Sequence, residues 1–336
     1  VGWQDFKPIS GARWNSGQRR RGHASNRIRA RKDVARAFVI GNAAMDEFFR
    51  VERLPERGAS ILGRRSIPGL GGKGANQAIV LARSGVETVL IAAIGQDAHG
   101  ARIRALLETE PLTADLVELA ETPTDISVIL AGNDGANAII TSNACARGVS
   151  AKYCTRSLGT AGPEDVALFQ GNLLHETAAE LMDFCRRRNV RVFFNPSPFA
   201  PDHARLIGKA DTVFLNEVEA AGLTGGAGGG DAIAQILETG TREVVLTMGR
   251  RGALLSRREG TVHVAARDVE VVDPTGAGDS FEAAAVASAL LRGGSLDRKA
   301  LEHAAAVAAL TVVREGAARA FPSCAELRSI IVGKTS

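Results

Sequence analysis

From residue 166 onward, short apolar runs alternate with segments whose apolar residues recur at helical spacing. This alternation constrains the fold more than any other feature of the 336-residue chain. The runs 166–169, 190–194, 212–215 and 243–247 are too short and too uniformly apolar for amphipathic helices, and read as strands buried on both faces. Residues 175–188, 202–209, 217–223 and 231–239 read as helices, and 225–230, almost all glycine, as a flexible loop. Strands at 253–256 and 261–264 follow, then helices at 277–292, 297–313 and 323–331. The pattern opens earlier, with a strand at 35–40 entering the turn Gly41-Asn42, a helix at 74–84, a strand at 89–94 and a helix at 99–109. This order predicts an α/β fold, with a mainly parallel sheet covered by helices on both faces.

Two segments do not fit inside such a sheet. Residues 44–68 mix short apolar pieces with Arg and Glu. Residues 122–141 alternate polar and apolar positions around Gly132-Asn133-Asp134-Gly135, a hairpin signature. Both suit a small second sheet projecting as a lid, one face wet and the other turned toward a site.

The charge of +4 is unevenly placed. Residues 1–32 hold nine Lys/Arg against Asp5, so that segment carries +8 and the rest of the chain −4. Residues 1–33, rich in Arg, Gly, Ser and Asn, read as a disordered basic tail, and 34–335 as the folded domain. An organelle address or a nucleic-acid arm is an alternative for the tail, but an extension without a role is favoured, so no nucleic-acid partner is expected. Apolar residues make up 45% of the chain, enough for a core without metal or disulfide staples. No stretch reaches the roughly 18 uncharged apolar residues of a membrane span. Cys145, Cys154, Cys185 and Cys324 lie far apart and form no CxxC pair, which predicts reduced thiols and a cytoplasmic protein.

Two glycine motifs carry the chemistry. Gly69-Leu70-Gly71-Gly72-Lys73-Gly74 fits GxGxxG but lies far beyond the first strand, a poor match to a dinucleotide-binding dehydrogenase, the rival kept in view. Lys73 is followed by Gly74, not Ser or Thr, which disfavours a P-loop. Asp273-Pro274-Thr275-Gly276-Ala277-Gly278-Asp279-Ser280 opens a long Ala-rich helix. Gly276 and Gly278 let backbone amides converge, and a helix N-terminus adds unpaired donors and about half a positive charge, together an anion hole. A carboxylate beside an anion hole is what phosphoryl transfer to an alcohol requires: a base for the hydroxyl and donors for the transferring group. Read alone, the motif is also a capped turn.

Together with Ala75-Asn76-Gln77-Ala78 after the first motif, these residues resemble the ribokinase-like (PfkB) family of carbohydrate kinases, and the first signature is most like its ribokinase branch. The resemblance spans roughly residues 35–333. It implies a three-layer α/β/α sandwich with a small β-sheet lid, and transfer of the γ-phosphate of ATP to a hydroxyl of a small carbohydrate. Asp279 would be the catalytic base, with Gly276, Ala277 and Gly278 as the anion hole. Asp46, Gly72, Lys73, Asn76 and Asn172 fall at sugar-binding positions. Asn216, Thr247, Gly249, Gly252 and Gly278 fall beside ATP. Glu219 completes Asn-x-x-Glu, implied to organise Mg²⁺ through water. Asp273, Thr275, Thr311, Arg314 and Gly316 fall where the ribokinase branch builds a monovalent-cation site, for K⁺, mostly from backbone carbonyls. Homodimers through the lid are a further implication.

Three positions depart from the pattern. Ala44 stands where an Asn precedes the lid aspartate, Asn172 where a Glu follows the lid, and Ala320 where a residue often completes the cation loop. Two sugar-hydroxyl partners are therefore altered, and another pentose, a deoxy sugar, a ketose or a polyol stands beside ribose as substrate. Two further readings are a nucleoside or sugar-phosphate kinase of the same family, the latter drawing on Arg50, Arg53, Arg57, Arg64 or Arg65, and a non-catalytic sugar-binding regulator.

Overall fold

The computed structural model describes residues 35–134 and 136–333; the basic segment 1–33 lies outside them. The first half runs β1 (Arg36–Ile40), β2 (Ala44–Val51), β3 (Gly63–Arg65), β4 (Gly69–Gly71), α1 (Lys73–Arg83), β5 (Glu87–Gly95), α2 (Ala98–Leu107), β6 (Thr113–Leu119), β7 (Ile126–Gly132), β8 (Asn137–Thr141), α3 (Ala144–Gly148) and α4 (Ala151–Leu158). The second half runs β9 (Val166–Gln170), α5 (His175–Arg187), β10 (Arg191–Asn195), α6 (Ala204–Ile207), β11 (Thr212–Asn216), α7 (Glu217–Leu223), α8 (Gly229–Glu238), β12 (Glu243–Thr247), β13 (Ala253–Arg257) and β14 (Gly260–Val264). It ends with α9 (Ala277–Leu291), α10 (Arg298–Val312) and α11 (Cys324–Ile331).

The main sheet has nine strands in the order β14-β13-β12-β11-β10-β9-β1-β5-β6. From β6 to β12 neighbours are parallel, and β13 and β14 close one edge as an antiparallel pair. Side chains alternate between the faces, as the two-residue period of a strand requires. On β1, Ala37 and Val39 enter the core formed with α1, α2, α9, α10 and α11. Phe38 and Ile40 enter the core formed with α3 through α8. Burial on both faces is why these strands read as unbroken apolar runs.

The lid is a five-stranded sheet, β3-β2-β7-β8 with β4 on β2. Its centre is the parallel pair β2–β7, which joins the two segments that the sequence set apart, and β7–β8 is the antiparallel hairpin.

Several elements differ from expectation. β6 is an additional parallel strand; its burial is only partial, and Asp115 and Glu118 interrupt the apolar pattern. α3 and α4 are additional helices, the first capped by Asp125, whose carboxylate accepts from Cys145 N at 3.1 Å and Ala146 N at 3.0 Å. The glycine run 225–230 is loop only in part, since α8 begins at Gly229. Residues 269–272 are irregular, with Val271 and Val272 exposed. Cys145, Cys154 and Cys185 are buried free thiols and Cys324 is exposed. No helix among the described residues is long and apolar enough to cross a membrane.

Candidate active site

The carboxyl ends of the parallel strands converge, as they do at ligand sites of open α/β sheets. Asn42 follows β1, Asn172 follows β9, and Asn195, Asn216 and Thr247 end β10, β11 and β12. The glycine-rich motif is built around Asn42. Gly72 is the N-cap of α1 at φ 90°, and a Cβ there would stand 2.8 Å from Asn42 O. A Cβ on Gly74 would be as close to Asn42 N. The close approach lets Ala75 N donate to Asn42 O at 3.0 Å.

Asp46 sits on β2 directly over this loop. A Cβ on Gly71 would fall 2.1 Å from its carboxyl, so glycine there is what makes room for the carboxylate. Burial pushes Asp46 up to about 7; a hydrogen bond from Ser127 lowers it, and Asp279 and Asp273 raise it again. Asn172 also reaches Asn42. It is 2% exposed and its Nδ2 donates to Asn42 Oδ1 at 3.0 Å, so its amide nitrogen supports the turn after β1.

Asp279 lies in the first turn of α9, 5% exposed. Oδ2 accepts from Asn76 Nδ2 at 2.9 Å. Oδ1 has no hydrogen-bonding partner, and Lys73 Nζ is 3.6 Å from it. Burial works against the charged form of Lys73, but Asp279, Glu219 and Glu282 outweigh it, so the ammonium is held above its ordinary range. Lys73, Asn76 and Asp279 thus meet although α1 and α9 are some two hundred residues apart.

Gly276 caps α9 with φ 78°. Ala277 N turns back to Pro274 O at 3.2 Å and Ser280 N to Gly276 O at 2.9 Å, closing the first helical turn. The amides without an internal acceptor are those of Gly278 and Asp279, which carry the positive end of the helix.

On the far side of Gly278, a cavity of about 430 Å³ is lined by Thr247, Gly249, Gly252, Phe281, Ala305 and Val312 among others, a size that suits a nucleoside. Gly252 has φ 91°, and a Cβ there would meet Val264 O at 2.0 Å. The Asn-x-x-Glu motif is a reciprocal cap on α7: Asn216 N donates to Glu219 Oε2 and Glu219 N to Asn216 Oδ1, both at 2.9 Å. This fixes Glu219 beside Lys73, Asn195 and Gly278 with its second oxygen available, an oxygen donor set that fits a hydrated Mg²⁺.

The residues expected around a monovalent cation also gather. Asp273 accepts from Thr275 N and Gly316 N, each at 2.9 Å, tying two loops together. Thr275 Oγ1 is buried without a partner, and Thr311 Oγ1 lies 3.0 Å from Val307 O. The buried, unpartnered Thr275 hydroxyl beside Asp273 fits a cation bound through oxygen. The Arg314 guanidinium is not part of this group: it pairs with Glu326 at 2.6 Å, which leaves only its backbone there.

With this geometry in place, the pfkB family carbohydrate kinase profile matches residues 34–324. The chain belongs to that family. The kinase is 29% identical to ribokinase from Bacillus subtilis over 87% of its own length and 98% of that protein. It is 26% identical to deoxyribokinase from Salmonella typhi, covering 85% and 95%. The structure of Arabidopsis thaliana ribokinase complexed with ribose and ATP superposes on it with a TM-score of 0.77 at 25% identity, covering 89% of the kinase and 99% of that chain. The kinase is therefore a phosphotransferase whose acceptor is a carbohydrate hydroxyl, and the dehydrogenase alternative falls away.

Sequence reasoning missed four side chains of the site. Asn42 was visible only as a turn residue. Gln77, Gln170 and Glu282 form a buried chain in which Gln170 Nε2 donates to Gln77 Oε1 at 2.7 Å and Gln77 Nε2 to Glu282 Oε2 at 3.1 Å. The available signal was spacing: Glu282 follows Asp279 by three residues, which puts both on one helix face.

Proposed function

We propose that the kinase transfers the γ-phosphate of ATP to a hydroxyl of ribose or a related pentose, ketose or polyol, with Asp279 as the base. The observation that carries this reading is the Asp279 carboxylate itself. It is fixed by Asn76 on one oxygen and faced by the Lys73 ammonium on the other, which has no hydrogen-bonding partner, between the Asp46–glycine loop and the nucleoside-sized cavity. The sugar sits on Asp46, Gly72 and Asn76, and the triphosphate reaches the amides of Gly278 and Asp279. Asp279 Oδ1 takes the hydroxyl proton while the sugar oxygen bonds to the γ-phosphorus and the bond to the β-phosphate oxygen breaks, releasing ADP. Lys73 neutralises the developing charge on the transferred group. Mg²⁺, held at Glu219, would screen the phosphates, and K⁺ at the Asp273 loops would support the anion hole.

Among sugars, the loss of Glu at position 172 and of Asn at position 44 favours an acceptor with one hydroxyl contact fewer than ribose. Having a deoxyribokinase among its relatives supports including 2-deoxyribose in the test. A sugar phosphate is disfavoured, because two of the lid arginines that would hold it are occupied: Arg65 by Glu47 and Arg50 by Glu315, both at 2.6 Å. Residues 34–335 are the proposed catalytic domain, in a cytoplasmic protein that pairs through its lid. The experiment is a panel of ribose, 2-deoxyribose, ketoses and polyols with ATP, run beside Asp279→Ala. Turnover on one of these sugars that falls by about 10²–10⁴-fold in the variant is expected. Equal turnover by both proteins would exclude Asp279 as the base.

A further inference from the structure

Glu282 is a carboxylate that neither the sugar loop nor the phosphate motif accounts for. It is 1% exposed, deeper in the protein than Asp279. Its Oε2 is held by Gln77, which is itself held by Gln170, so the side chain is set in place from behind. Its Oε1 has no hydrogen-bonding partner, although the Asn195 amide lies beside the carboxyl. The Glu282 side chain lines a small cavity together with Lys73, Asn195, Asn216, Glu219 and Gly278, where the phosphate motif and the Asn-x-x-Glu cap meet.

The charges there do not balance. Asp279, Glu219 and Glu282 all act on Lys73, three acids against one ammonium, and burial, with Asp279 beside it, raises Glu282 well above the ordinary carboxylate range when no cation is present. A triphosphate bound at Gly278 adds negative charge to the same place. Burying a carboxylate without a counter-charge is strongly unfavourable, and a buried oxygen left unpaired adds to that penalty. The two carboxylates lining this cavity are oxygen donors of the kind preferred by Mg²⁺ and Mn²⁺, whereas the amide oxygens of Asn195 and Asn216 already accept from Ser197 N and Glu219 N. Such ions are commonly held by one or two carboxylates, with phosphate and water completing the shell.

We infer that Glu282 is a second carboxylate ligand, direct or through one water, for a divalent cation held between it and Glu219. The inference rests on the phosphotransfer reading of this cavity and adds to it a ligand that the Asn-x-x-Glu motif does not contain. The Gln77–Gln170 pair acts as a positioning device that presents the free Glu282 oxygen to the ion.

The test is Mn²⁺ titration followed by electron paramagnetic resonance, on the full chain both free and saturated with ADP. Glu282→Gln keeps the size of the side chain and an acceptor for Gln77 while removing the charge. It should weaken Mn²⁺ binding by about tenfold or more in both states. Glu217→Gln, which removes an exposed partner of Arg251 outside the cavity, should leave Mn²⁺ binding unchanged. Thermal melting of each variant establishes that it is folded. If Glu282→Gln is not, Glu282→Asp, with its carboxylate withdrawn by one methylene, should still weaken binding. Mn²⁺ affinity in a folded Glu282 variant equal to that of the parent overturns the inference. Failure of the parent to phosphorylate any sugar, with Mn²⁺ binding intact, would instead count against the proposed function.

Discussion

Asp46 has the environment of a group that changes charge near neutrality. Burial and the fields of Asp279 and Asp273 hold its carboxyl up to about 7 despite the Ser127 hydrogen bond. Sugar hydroxyls donate to the ionised form, so sugar affinity should rise between pH 6 and pH 8. Asp46→Asn should bind weakly with no such dependence, and isothermal titration across that range checks both. Folding linkage has the opposite sign. The folded state retains this proton between about pH 4 and 7 where the unfolded chain has lost it, so Asp46 lowers stability as pH rises through that window. Without sugar, Asp46→Asn should therefore melt above the parent at pH 8, with the difference shrinking toward pH 5. The site was legible at this scale wherever a residue belonged to a compact motif: Lys73, Asn76 and Asp279 are read directly from two short stretches. Glu282 was not, since an acid inside a helix has the signature of a solvated face. Nor was the Ala277 amide, whose turn back to Pro274 is decided by the tightness of the first helical turn and not by residue type.

Among the elements, the glycine loop before α1 is the most constrained. Gly71→Ala places a methyl group against the Asp46 carboxyl while leaving the Gly72 cap and α1 intact. It should raise the KM for sugar by at least tenfold with little change in the KM for ATP. Steady-state kinetics with each substrate varied will show whether the damage is confined to the sugar side. The wall given by α10 leads to a second expectation. Ala305, Ala308, Ala309 and Val312 offer the base a smooth apolar surface, with Thr247, Arg250 and Arg267 as the polar side chains around it. A surface of that kind rejects poorly, so kcat/KM for ATP and GTP should lie within about tenfold of each other. A ratio above a hundredfold would mean that backbone groups read the base edge. The buried strands and long helices were legible because each is periodic or uniformly apolar. The half-buried edge strand β6, with Asp115 and Glu118 in it, carries neither pattern.

For the molecule as a whole, the lid carries a cluster of exposed apolar side chains, while others such as Val218 and Val332 lie singly on the sandwich. Leu62 is 97% exposed, Ile140 72% and Ile67 70%. Pairing of two lids would cover them. Sedimentation should find a dimer that Leu62→Asp with Ile140→Lys converts to a monomer, and a monomeric parent would remove lid pairing from the proposal. The sequence pointed to a lid through its two amphipathic segments, but the parallel pairing of β2 with β7 lay beyond reach because it joins residues about eighty positions apart. β1 and β2 are separated only by Gly41–Ala43, all buried, with Gly41 packed so tightly that a Cβ would stand 1.8 Å from the Gln170 amide oxygen. The cover is thus rooted in the floor: any swing must pivot on a wedge seated between β9 and the start of α1, so opening to admit a sugar would tug on the very scaffold that aligns Asn76 with Asp279.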